Sequence, residues 1–238
     1  MGLEYKEKIF LRNSDFSFQD KIKPQSILQI AEEVAGRHAL ILGNGYEALK
    51  EKGLAWVCVR TKFEMLADLE NGKDAIIETY TVKPGKIDMD RSYIFYDLDG
   101  NTCIKGTTKW VLIDFNSRRI QRTSVIDYPY DSFRENAITD MSKCVIGDDI
   151  VLNNRVDFKM LINDLDHNMH VNNTRYVEHV FNTFSLDEAR QIKSFEVEYV
   201  KELKYGCNAY LIYDDCLSHY KMYNENNELS FIMNIEWR

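Results

Sequence analysis

The chain has 238 residues, enough for one large or two small domains. It is 45% hydrophobic and 29% charged, with only 11 Gly and 3 Pro, so a sizeable core can form without a disulfide or metal staple. The net charge of −8 disfavours nucleic acid and anionic membranes as partners.

The longest apolar run, Leu54 to Val59, is far short of the roughly 20 residues that span a bilayer, so no membrane insertion is expected. The first residues, MGLEYKEKIF, lack the apolar stretch of a secretory signal. Five cysteines, Cys58, Cys103, Cys144, Cys207 and Cys216, contain no C-x-x-C pair. Reduced thiols in a cytoplasmic protein fit that pattern better than a disulfide framework or zinc ribbon.

Taken in chain order, the first predicted element is a helix over 24–42. Ile27, Leu28, Ala31, Val34, Ala35, His38 and Leu42 recur on one face, with Pro24 suited to the first turn and Gly43 to the stop. Strand patterns follow at 54–65, 75–82, 92–98 and 102–113, the last two flanking the hairpin signal Asp99-Gly100. The first half thus reads as a long helix followed by an antiparallel sheet. Residues 116–150 are irregular and read as a connection.

The second half repeats the order. A strand at 154–161 and a polar loop at 163–171 lead to a helix over 173–184, with Ser185 and Glu188 suited to cap a further turn. Strands follow at 194–203, 209–214, 219–223 and 229–237. The expected organisation is α+β: an N-terminal module over 1–115, a connecting segment over 116–150, and a C-terminal module over 151–238. A sheet curved around each helix would bury both apolar faces.

The densest polar segment runs from Asn163 to Asn173. In an extended loop, Asp166, Asn168 and His170 would face one way. The helix that follows would supply unpaired backbone amides at Val171, Asn172 and Asn173, where a developing oxyanion could be held. A carboxylate, an amide, an imidazole and a helix start together suit acyl transfer. Simple helix capping is the competing reading. The start of the segment matches an EF-hand loop, but Met169 and Arg175 stand where Gly and Glu are required, which excludes that reading. A different metal at Asp166 and His170 lacks a third ligand, so neither metal nor cofactor is expected. Gly43-x-Gly45-x-x-Ala48 follows a helix rather than a strand and reads as a loop, not a dinucleotide site. There is no G-x-S-x-G elbow.

The run Asp166-His167-Asn168-Met169-His170-Val171-Asn172-Asn173, with Tyr176 beyond it, resembles the acyl-ACP thioesterase family in its bacterial form, matching the pattern D-x-N-x-H-V-N-N-x-x-Y. Residues 26–38, Trp56 with Arg60, 110–122, 195–203 and 236–238 resemble further family segments, so the likeness covers nearly the whole chain. It implies two tandem hotdog modules, each a helix wrapped by an antiparallel β-sheet. The implied activity is hydrolysis of fatty acyl-acyl carrier protein. Asp166, Asn168, His170 and Glu202 correspond to the family's catalytic positions. The family position after Glu202 is often Cys; here it is Leu203, so a cysteine nucleophile is excluded at that site.

Asp166 or Glu202 would serve as general base, or Asp166 would attack directly. The first module would house the acyl chain along Ile27, Ile30, Val34 and Trp56. An acidic carrier protein would need a local positive surface on this acidic chain. Arg118, Arg119 and Arg122 are the first candidates, joined by Lys143, Lys201 or Lys204. The resemblance leaves room for a homodimer. The rival readings are a hotdog acyl-CoA thioesterase using the same site, and a non-catalytic lipid-binding double hotdog protein.

Overall fold

The structure is a computed structural model that describes residues 4–128, 132–166, 169–187 and 190–238. The chain divides into two compact units, with the boundary between Met141 and Ser142. In the first unit β1 (Glu4–Phe10) precedes α1 (Pro24–Ile41) and α2 (Tyr46–Glu51). Then come β2 (Leu54–Met65), β3 (Asp74–Thr81), β4 (Asp88–Tyr96) and β5 (Thr102–Asp114). Its sheet is antiparallel in the order β1-β3-β4-β5-β2. The second unit holds β6 (Asn154–Lys159), α3 (Asn173–Phe181), β7 (Ile192–Tyr199), β8 (Asn208–Tyr213), β9 (His219–Asn224) and β10 (Leu229–Trp237). Its order, β6-β8-β9-β10-β7, is the same topology. In both units the strand that follows the helix goes to the far edge from the strand that precedes it. The repeated organisation read from the sequence is thus a repeated strand order.

α1 begins with Pro24 at its first position and ends in a Schellman turn. Gly43 adopts φ +75°, Asn44 N donates to Ala39 O at 2.9 Å and Gly43 N to Leu40 O at 3.1 Å. β1 and α2 were not anticipated. The β1 sequence EYKEKIF interleaves charges with few apolar residues, as suits an edge strand that is half in water.

Most of the presumed connection belongs to the first unit. β5 turns back on itself through an Ile113–Ile120 bridge, with Asp114 N donating to Arg119 O at 2.9 Å. Further on, the chain is strapped across one face of the first sheet. Asn136 Nδ2 donates to Asp90 Oδ2 at 2.8 Å, Ala137 N to Ser92 Oγ at 2.9 Å, and Ile138 N to Thr107 Oγ1 at 3.2 Å. Arg134 pairs with Glu4 and Glu78 and covers the Tyr80 ring. Burial alone would raise the Glu78 carboxyl; hydrogen bonds from Arg134 and Tyr96 outweigh it and hold the group below its ordinary value. The Ser185–Glu188 cap expected after α3 falls partly outside the described residues.

The other face of that sheet meets α1, and its cross-strand rows change character. One row is Ile77–Phe95–Ile104–Met65 and the next is Thr79–Tyr93–Gly106–Phe63. Gly106 is required there, because a Cβ would lie 2.1 Å from the Phe63 ring. The third row is Thr81–Arg91–Thr108–Thr61, in which every member is buried. His38, on the buried face of α1, meets this end: its Nδ1 lies 3.0 Å from Arg91 Nη1.

Burial, reinforced by the Arg91 charge, pulls His38 down to about 4. The folded imidazole therefore stays neutral where the unfolded one, near 6.5, takes a proton. The unfolded state binds more protons between those values, so stability is fully present above pH 6.5 and falls as pH drops towards 4. Urea unfolding between pH 7 and 4.5 should show this decline, and His38→Gln should flatten it. Parallel curves for the two proteins would contradict the assignment.

Candidate active site

The chemistry-bearing residues of the second unit sit where two segments meet. The first is the loop leading into α3. Leu165 and Val171 form an antiparallel bridge, and within it Asp166 N donates to His170 O at 2.8 Å. Met169 N donates to Asp166 O at 3.1 Å and His170 N to Asp166 Oδ1 at 3.0 Å. The chain therefore reverses between Asp166 and His170, with Met169 at φ +65°, rather than running extended. Asp166 and His170 meet because of a turn, not because alternate residues share a face. Asn168, expected between them, lies outside the described residues.

The second segment follows β7. Val200 N and Lys201 N both donate to Ser230 O, at 2.9 and 3.1 Å, which ends the regular ladder. Glu202 and Leu203, expected inside the strand, consequently lie beyond it. Three ties then hold this segment against the first. Leu203 N donates to Tyr176 Oη at 2.8 Å, Tyr199 Oη donates to Asn173 O at 3.2 Å, and His170 forms an isolated bridge with Lys204. They bring Glu202 Oε2 to 3.9 Å from His170 Nε2. That separation is an ion-pair distance if the imidazole is protonated and slightly long for a hydrogen bond. Asp166 and His170 are half-buried and Glu202 is exposed, so water reaches the site.

The helix start divides its roles. Asn172 Oδ1 accepts from Thr174 N at 2.8 Å and from Thr174 Oγ1 at 2.7 Å, while Asn172 N donates to Asp164 O at 2.8 Å. Asn172 is therefore a cap whose own amide is already used, which corrects its expected part in holding an oxyanion. Asp164 closes the same loop from the other side: its Oδ2 accepts from Leu161 N at 2.6 Å. Its Oδ1 lies 4.0 Å from His179 Nε2, and His179 stacks on Phe158 at 4.2 Å.

Tyr176 was visible in the sequence only as the last letter of a motif. It is 3% exposed, packed against Tyr199 and Phe231 with ring centroids 5.8 and 5.6 Å away. Burial raises its phenol far above the ordinary value, so the hydroxyl stays protonated and neutral.

In the first unit, Ile27, Ile30 and Val34 share the buried face of α1. Trp56 packs with Leu49, Leu112 and Ile126 beside α2. Arg118 and Arg119 are exposed on the turn after β5, and Arg122 is exposed at the start of the short 3₁₀ turn at Thr123–Val125. Leu203 is 1% exposed, and burial pushes the Cys58 thiol up to about 12.

A helix laid against an antiparallel sheet, built twice with one strand order, defines a double hotdog protein. An acyl-ACP thioesterase from Bacteroides thetaiotaomicron VPI-5482 has the same fold, with a TM-score of 0.85 over 99% of this chain and 98% of that one at 20% identity. The 12:0-ACP thioesterase from Umbellularia californica gives 0.84 over 100% and 98% at 22% identity. The models of the acyl-ACP thioesterase N-terminal and C-terminal domains match residues 2–127 and 148–237. The chain belongs to the acyl-ACP thioesterase family. It is 28% identical over 130 residues to the chloroplastic oleoyl-acyl carrier protein thioesterase 1 of Arabidopsis thaliana, covering 52% of this chain and 36% of that protein. The matched stretch thus spans about a third of the plant protein's length.

Tyr176→Phe tests the tie between the two segments. It leaves the buried Leu203 amide without its acceptor, which should cost about 1–3 kcal/mol. If the hydroxyl positions Glu202, thioester turnover should also fall at least tenfold with KM little changed. Loss of stability with unaltered turnover would show the bond to be structural only.

Proposed function

We propose that this chain hydrolyses the thioester of fatty acyl-acyl carrier protein, releasing the free fatty acid and the carrier thiol. The observation that carries the reading is the convergence of Asp166, His170 and Glu202 beside the start of α3, within a chain of this family. The named relatives act on 12:0-ACP and oleoyl-ACP, so acyl-ACP is the class they share. Asp166 is the carboxylate that acts on the thioester carbonyl. Its Oδ1 is oriented by the His170 amide. His170 and Glu202 manage the proton of the attacking water, and Asn168 orients the reacting carboxylate and water. The carbonyl oxygen, as it becomes an oxyanion, takes hydrogen bonds from the helix-start amides of Val171 and Asn173. The C–S bond breaks and the carrier's sulfur leaves as a thiol after taking one proton.

The buried face of α1 at Ile27, Ile30 and Val34 lines the acyl-chain side. Arg118, Arg119 and Arg122 receive the acidic carrier protein. No disulfide links the five cysteines, and among the described residues no helix is long and apolar enough to cross a membrane. A reducing cytoplasm is the compartment this reading implies.

Asp166→Asn should lower hydrolysis of acyl-ACP by at least a thousandfold while leaving the unfolding midpoint within the range of a conservative change. Near-normal activity would remove Asp166 from the mechanism. In a single turnover in ¹⁸O-water, label in the Asp166 carboxylate would establish direct attack, with water opening the mixed anhydride at the Asp166 carbon; general-base catalysis places the label in the fatty acid alone. Reversing Arg118 and Arg119 to Glu should raise KM for acyl-ACP at low salt and spare a minimal thioester substrate. An unchanged KM would place the carrier elsewhere.

A further inference from the structure

We propose that the interior of the first unit contains a polar subsite, built around His38, Arg91 and Thr79, that binds an oxygen atom carried on the acyl chain, either a hydroxyl or a keto group. The inference deepens the proposed function and rests on it in one respect: that the occupant of this interior is an acyl chain.

The argument begins with a hydrogen-bond inventory. A guanidinium only donates, so the 3.0 Å contact between Arg91 Nη1 and His38 Nδ1 requires Nδ1 to accept. The neutral ring then carries its proton on Nε2. That nitrogen is buried, in a residue 1% exposed, and it has no hydrogen-bond partner among the described residues. A buried donor left unmet is costly, so such a group points to an acceptor that arrives with a ligand. Burial and the Arg91 charge keep the ring neutral at physiological pH, and therefore keep the Nε2 donor in place. Orientation is also set in advance. The Tyr5 ring stacks on His38 with centroids 6.0 Å apart, and Thr79 Oγ1 accepts from Arg91 Nη1 at 3.3 Å.

The position of the cluster supplies the chemistry of the ligand. Ile27, Ile30 and Val34 form the buried stripe of α1, and His38 is the next residue along it, one turn beyond Val34. On the sheet, the Thr81–Arg91–Thr108–Thr61 row that meets His38 is wholly buried and polar, two rows along from the apolar Ile77–Phe95–Ile104 row. His38 and Arg91 therefore set a polar cluster against the end of the apolar stripe of α1. A wholly hydrocarbon chain reaching this end would desolvate His38 Nε2 without offering it an acceptor. A chain with an oxygen at the matching carbon meets that donor. The contrast favours oxygenated chains at one position and penalises unsubstituted chains long enough to reach it.

The test uses two series on the whole protein. In the first, free fatty acids of one length, plain or with a single hydroxyl walked along the chain, are titrated by calorimetry. The carboxylate is common to all members, so only the added oxygen differs. Binding should tighten at least tenfold at one hydroxyl position, and His38→Leu should remove the difference. His38→Gln, whose amide can accept from Arg91 and still donate, should restore part of it. Circular dichroism of each variant checks folding, and the wild-type series decides the matter without any variant. In the second series the same chains are presented on acyl carrier protein, and the ratio of kcat/KM for oxygenated over plain chains is measured.

Position-dependent preference in both series supports the subsite. Hydrolysis of every chain without preference overturns it and leaves the thioesterase reading intact; His38 Nε2 then meets an ordered water only. Position-dependent binding of hydroxy acids with no hydrolysis of any thioester keeps the subsite and overturns the proposed function.

Discussion

A helix with a single apolar stripe cannot remain in water, and everything in this chain follows from covering two of them. α1 is half-hidden by an antiparallel sheet whose first strand precedes it and whose remaining strands follow it. α3 stands in the same relation to the second sheet. Covering a helix this way makes the following strand, β2 or β7, run to the far edge, so the chain must leave the helix across the whole width of the sheet. The turn after β7 is one place where that routing shows: two consecutive amides share Ser230 O and the ladder stops. The interruption frees Glu202 from the sheet and lets it approach His170.

The two units spend their interiors differently. The second invests its polar groups at the mouth of α3, where Asp164, Asn172, Tyr176 and Tyr199 lock two loops whose own residues are exposed enough to meet substrate. The ties are mostly to backbone atoms, so they position the main chain beside Asp166 and Glu202, the carboxylates proposed to act on the thioester. The first unit has the corresponding loop before α1, closed by a Phe16–Ile22 bridge and a bond from Lys23 N to Asp15 O, but without the Asp-x-Asn-x-His residues, and it buries polar groups inside its sheet. His38 and Arg91 lie at the end of an apolar stripe, where a purely structural core would favour more leucine or valine. Its outer face is equally polar, held down by Arg134 and by the Asn136–Ile138 strap.

Much of this was legible from residue order. Pro24 and Gly43 bracket α1 to within a residue, and β2 and β10 occupy the expected positions. Those elements carry strong period-3.6 or strand signals with Gly and Pro punctuation. β1 was invisible, because an edge strand need satisfy only one face and its charges blur the alternation. The candidate catalytic residues were legible as types in a motif, yet the geometry read for them was different. Asp166 and His170 face each other through a reversal of the chain, and no spacing rule separates a four-residue offset in a turn from one in an extended loop.

The sequence by itself determined the two-module plan, the family, and the absence of a thiol at position 203, because each depends on local pattern or on the identity of one residue. Only the tertiary structure decided which side chains meet. Leu203 and Tyr176 are 27 positions apart, and Arg91 and His38 are 53. Such partners are chosen by strand order and register, which arise from burying whole faces at once and leave no local trace in the chain. For the same reason the presumed connection at 116–150 looked featureless. Its order comes from Ser92, Thr107 and Asp90 on strands laid down earlier, and not from any periodicity of its own.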